Sequence, residues 1–145
     1  MPETQPIQAR LQDASGLGDT LAVSFDAFEA IRLAARSCVD RVPELFAAFM
    51  TTAGTAVEGR EAITAAPSLP AGPAATQPGL VAPGDNVGDA VDVLAALGGL
   101  LDSCLTQAGA SAAIQADRVA CREAADAARR IHQLMTRGDD GPGLR

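Results

Sequence analysis

The chain has 145 residues, about one ordinary domain, of which 48% are hydrophobic but only 3% aromatic: four Phe, no Trp and no Tyr. Eighteen acidic residues against eleven Arg leave a net charge of −7 without a single Lys, which excludes P-loop, Schiff-base and Ser-Lys chemistry. The apolar content excludes a wholly disordered chain, and 31 Ala point to helices rather than sheet.

The first residues, Met1-Pro2-Glu3-Thr4-Gln5-Pro6, have no basic stretch followed by an apolar one, so no secretory signal is expected. With Pro2, Pro6, Gly16 and Gly18 and little periodicity, residues 1–18 read as a flexible leader. Asp19 or Thr20 can cap a first helix by accepting an orphan backbone N–H. From there Leu21, Phe28, Ala35 and Val42 recur at sevens, with Ile31 and Cys38 between them, and form one apolar face. Asp26, Glu29, Arg32, Arg36 and Asp40 lie off that face, where Glu29–Arg32 and Arg36–Asp40 have pairing distances.

Pro43 lacks an N–H and disfavours helical geometry at Val42, so the first helix should stop or kink there. A second helix is expected from about Pro43 to Ala65 with Phe46, Phe49, Met50, Ala53, Val57 and Ile63 inward. The aromatic residues and Met50 near the Pro43 joint predict the best packing at that end. Residues 66–84 hold five Pro and three Gly, counting Gly84, and read as a draped crossover of about 20 residues.

Asp85 and Asn86 can cap a third helix, with Asp89 and Asp92 near its positive end. Val87, Ala90, Leu94, Leu97, Leu101, Cys104 and Ala108 form its stripe, which Val91, Val93, Leu100 and Leu105 widen almost all round. Such a helix is central or an interface, and Leu94, Leu97, Leu100 and Leu101 are its candidate interface residues. Its uninterrupted apolar run, Val93–Leu101, is nine residues, read as too short to span a membrane. Gly98-Gly99 inside the run costs about 1 kcal/mol per Gly relative to Ala, which predicts a close approach by another element.

Gly109 and Ser111 mark a break, and a fourth helix runs to about Arg137 with Ile114, Cys121, Ala124, Ala128, Ile131 and Met135 inward. Arg118, Arg122, Asp126, Arg129 and Arg130 fall outside, and Asp117 and Glu123 join them as solvated charges. Residues 138–145 read as a flexible tail. The expected fold is all-α: an antiparallel four-helix bundle over residues 19–137, two hairpins joined by the Pro/Gly-rich crossover.

Three Cys in a chain this long do not make a disulfide framework, which favours the cytoplasm. Cys121 and His132, eleven residues apart on one helix, are about 16 Å apart and cannot share a metal. Cys104 and Cys121 fall about 9 Å out of level, so Cys38, Cys104 and Cys121 read as free buried thiols. His132, the only histidine, reads as a partly exposed boundary residue, and no nucleophile–base arrangement can be identified from the spacing, which leaves Cys38 and His132 as a pair that the fold could still bring together.

Glu58-x-x-Glu61 and Asp89-x-x-Asp92 each put two acids on one helical face. If the crossover brings those ends together, the four carboxylates can hold Mg²⁺ through oxygen. The spacing resembles the ExxE…ExxD pattern of the all-α nucleoside triphosphate pyrophosphohydrolases of the MazG type, over about residues 45–105, with Asp where the second pair has Glu. That resemblance implies Mg²⁺ at Glu58, Glu61, Asp89 and Asp92 and a helical bundle that dimerises. Small helical substrates of type VII secretion also match in size, but their Trp-x-Gly turn and Tyr-bearing signal have no counterpart here.

The leading functional expectation is a non-enzymatic interaction or scaffolding module without a cofactor, whose Ala-rich faces need covering by a second copy or a partner protein. The alternative is the Mg²⁺-dependent pyrophosphohydrolase. The acidic charge disfavours nucleic acid and anionic membrane as partners.

Overall fold

A computed structural model describes residues 7–70 and 87–140. Among them every regular element is helical: α1 Ile7–Asp13, α2 Leu17–Cys38, a 3₁₀ turn at Pro43–Leu45, α3 Phe46–Thr64, α4 Val87–Ser111 and α5 Gln115–Asp140. The reading of residues 1–18 as a leader is corrected over Ile7–Asp13. Ile7 and Leu11, one turn apart, are fully or almost fully buried, and Arg10 reaches Asp26 of α2 at 2.8 Å. Gly16 turns the chain between α1 and α2 with φ +84°, a conformation that L side chains resist. Asp19 does not cap α2 as expected; it sits in the first turn, where Oδ2 accepts the Ser15 N–H at 3.0 Å.

α2 ends at Cys38, four residues before Val42, which is extended (φ −136°) ahead of Pro43. Leu21, Phe28, Ile31, Ala35 and Cys38 are buried, as the sevens pattern requires. The Glu29–Arg32 pair forms, whereas Arg36–Asp40 does not, because the helix stops before Asp40. α3 folds back on α2, bringing Gly59 under the Phe28 ring and Arg60 onto Glu29, with its guanidinium 6.0 Å from the Phe25 centroid. Phe49, Ala53 and Ile63 face inward, but Phe46 and Met50 are 48% and 42% exposed, which corrects their predicted burial. The inward stripe of α3 has small residues (Thr52, Ala53, Ala56) between the buried Phe49 and Ile63, and Phe46 and Met50 lie on its flank.

Hydrogen bonds from Arg32, and then from Arg60, hold the Glu29 carboxyl below its usual 4.5 against the opposing effect of burial. A carboxyl whose pKa folding lowers contributes stability in full above its unfolded value and loses it as the pH falls through the folded one. Urea midpoints followed from about pH 6 to about pH 3 are therefore expected to decline less steeply in Glu29→Gln than in the parent. Parallel acid limbs would remove Glu29 from the account.

α4 and α5 run antiparallel and in close contact. A Cβ on Gly98 would lie 2.9 Å from the His132 backbone N and 3.0 Å from the Ala128 carbonyl oxygen. Farther along, a Cβ on Gly109 would meet Cys121 Cβ at 3.0 Å. The predicted close approach at Gly98-Gly99 is thus present, and α5 is what approaches. Ala124, Ala128, Ile131 and Met135 are buried as expected, but Ile114 precedes α5 and is 49% exposed. α5 also continues past the predicted end at Arg137 to Asp140.

α3 packs mainly on α2 and α5, and α4 mainly on α5 and α2. Residues 66–70, the start of the predicted crossover, close a turn in which Ala66 is buried and Leu69 N–H donates to the Ala66 carbonyl. Residues 71–84 of the crossover and the predicted caps Asp85 and Asn86 lie outside the described residues.

Asp117, predicted among the solvated charges, is 1% exposed. It accepts the Ser68 N–H at 3.0 Å and the Ser68 Oγ–H at 2.6 Å, fastening the end of α3 to the first turn of α5. Hydrogen bonds to a charged acceptor are worth about 1.5–3 kcal/mol each, so Asp117→Ala is expected to lower stability by at least about 2 kcal/mol. A urea midpoint unchanged from the parent's would contradict that.

Candidate functional site

The four predicted metal ligands do not converge. Glu58 and Glu61 sit late in α3 beside Glu123 and Arg130 of α5, bordering a cleft of about 380 Å³. Glu58 accepts a hydrogen bond from Arg130 at 2.9 Å, so a fixed cation already faces that carboxylate. Asp89 and Asp92 are exposed at the start of α4, on a helix whose main neighbours are α5 and α2 rather than α3. Asp92 lies six residues, about 9 Å, along α4 from the Gly98 contact with α5, near whose level Arg130 holds Glu58. The expectation that these ends meet is corrected, and no group of three or more metal-ligating side chains occurs among the described residues.

The predicted interface leucines divide. Leu94, Leu97 and Leu101 are fully buried in the chain's own core and are not available to a partner, which corrects that expectation. Leu100 is half-buried and borders an open cleft of about 540 Å³ with Leu11, Leu17, Cys104 and Ala108, at the seam where α1 and α2 meet α4. The reading of the Val93–Leu101 run as too short for a membrane also needs correcting. Residues 88–111 form a helix long enough to cross one, and its most apolar 18 residues have a mean hydropathy of 1.3, since residues 93–110 carry only Asp102 as a charge. A core helix passes the same test, and this one has Leu94, Leu97, Leu101 and Leu105 fully buried; the exposed residues of the stretch are Ala96, Ser103, Thr106, Gln107 and Ala110.

All three thiols are free; Cys38 and Cys121 are buried and Cys104 is half-buried. Burial pushes the Cys104 thiol up, and burial followed by the nearby Asp117 charge does the same for Cys121, so both stay protonated at neutral pH. His132 is exposed, and its Nδ1–H donates to the Ala95 carbonyl of α4 at 2.8 Å, which fixes the tautomer and leaves Nε2 toward solvent.

A third cleft, about 420 Å³, lies on the opposite side of α4, along its seam with α5. Arg118, Arg122 and Arg129 line one wall, and Thr106, Gly109 and Ala110 the other. Arg118 donates to Gln115 Oε1 and to the Ala112 carbonyl at the negative end of α4. Arg129 is held by Asp102 at 3.1 Å and Asp126 at 3.0 Å. The sequence placed these arginines outward on α5 but could not show that they border a common cleft.

The chain matches no known protein family, no characterised protein and no solved structure. Two polar or apolar clefts flank an incompletely covered helix, and no nucleophile–base pair lines either of them.

Proposed function

We propose that this chain is a non-enzymatic helical interaction module. In this reading α2–α5 form an antiparallel four-helix bundle with α1 folded against it. The module associates with a second copy or a partner protein through the outer face of α4. The observation that carries the proposal is that the most apolar 18 residues of that helix have a mean hydropathy of 1.3 while 28% of them are fully buried, with Leu100, Cys104 and Ala108 half-buried beside an open cleft. Apolar surface left in water costs roughly 25 cal/mol per Å², so a covering helix laid in the seam beside Leu11, Leu17 and Leu100 gains what the chain alone does not. Phe46 and Met50, exposed one turn apart on α3, add a smaller apolar patch.

Light scattering across a concentration series, with a photo-crosslinking residue at Leu100, tests the proposal. A mass above the 14.7 kDa monomer, or an adduct at position 100, is the expected result. A monomer at every concentration that also forms no adduct in its source cell would end it.

A further inference from the structure

The chain sets eleven Arg against eighteen acids, yet Arg118, Arg122 and Arg129 all line the cleft of about 420 Å³ between α4 and α5. Their ion pairs there are with Asp102 and Asp126, so three guanidinium groups face two carboxylates and the cleft is positive on an acidic protein. Two of the three are fixed. Arg129 crosses from α5 to Asp102 of α4, and Arg118 crosses to the Ala112 carbonyl in the turn after α4. These crossings start eleven residues, about 16 Å, apart on α5 and bound the trough at either end. Arg122 stands between them with no hydrogen bond or ion pair among the described residues, so its five donors are free for a ligand.

The floor beside it is apolar and low: Leu105 and Ala125 are buried, and Gly109 and Ala110 add little bulk. An unopposed guanidinium next to an apolar floor suits a small organic acid, with an anionic head and a compact apolar body. The bounded ends leave no path for a helix or an extended chain through the trough. Nucleic acid fits poorly, because the cleft has no aromatic side chain for stacking and the chain's −7 charge repels a polyanion. The lining points to binding rather than turnover, since the Thr106 hydroxyl is turned to Asp102 and the Asp126 carboxylate is held by Arg129.

We propose that the α4/α5 cleft is a binding site for a small organic acid, a carboxylate or a phosphate monoester, whose anionic group lies on Arg122 between Arg118 and Arg129. The site goes beyond the interaction reading and does not rest on it, because the cleft lies across α4 from the seam at Leu100.

Isothermal titration of the full chain at low salt tests it, with benzoate, phenyl phosphate and neutral benzyl alcohol as probes. At least one of the two acids is expected to bind about tenfold or more tightly than benzyl alcohol, and the tighter acid assigns the head group. Arg122→Gln should weaken that acid about tenfold or more while leaving the urea midpoint unchanged, because Arg122 is exposed and holds no partner among the described residues. Arg36→Gln, which removes the same charge from an exposed position on α2, should leave binding unchanged. Arg122→Gln binding as tightly as the parent, or Arg36→Gln weakening the acid equally, overturns the site. So does the absence of binding by both acids at about 10 mM. Light scattering reads self-association separately, so either proposal can fail without the other.

Discussion

Phe28→Ala is expected to cost about 3–5 kcal/mol, the usual range for truncating a fully buried aromatic residue. Small domains have about 5–15 kcal/mol in total, so the variant should melt far below the parent or fail to fold. The reason is local and specific. The ring occupies the space that a side chain at position 59 would fill, since a Cβ there would run into Phe28 Cε1. Gly59→Leu alone should therefore also destabilise, yet in the Phe28→Ala background it should recover about 1 kcal/mol or more by refilling the cavity. Urea denaturation of the two single variants and the double variant measures this coupling. Strict additivity of the two changes would mean that Phe28 and Gly59 do not share one space.

The second large effect is a matched pair of glycine substitutions. In a helix interior Gly→Ala normally stabilises by about 1 kcal/mol through backbone entropy. Gly54→Ala should follow that rule, because nothing lies within 4 Å of the added methyl group. Gly98→Ala should reverse it, costing about 1–3 kcal/mol, because the obstacles are the backbone of His132 and Ala128, which cannot swing aside as a side chain can. Opposite shifts in the urea midpoint are the expected result. A stabilising Gly98→Ala would mean that α4 and α5 stand farther apart than described here.

The helices with a strong periodic stripe were legible from the residues. Leu21, Phe28, Ile31 and Ala35 of α2, and Ala124, Ala128, Ile131 and Met135 of α5, are buried where the spacing puts them. α1 was not legible, because two large apolar residues in seven do not establish a period, and its burial depends on a surface formed by later helices. Phe46 and Met50 were misplaced because bulk suggests burial, whereas the inward face of α3 runs through Phe49, Thr52, Ala56, Gly59 and Ile63 and leaves both on its flank. Asp117 looked like any helix-surface acid until the Ser68 turn came over it. The carboxylate pairs show a different limit. Each pair shares a helical face as the spacing requires, but which helices become neighbours is a tertiary fact that no single-helix pattern contains. The Arg cleft was half legible: the i, i+4 and i+11 spacing puts Arg118, Arg122 and Arg129 on one face of α5, but its opposite wall belongs to α4.

The three thiols are distributed over Cys38 on α2, Cys104 on α4 and Cys121 on α5. Alkylation needs an accessible thiolate, so a packed, protonated sulfur reacts only when its surroundings open. Alkylation rates at the buried Cys38 and Cys121 would therefore time the opening around α2 and α5 separately, with the half-buried Cys104 beside its open cleft as the faster reference.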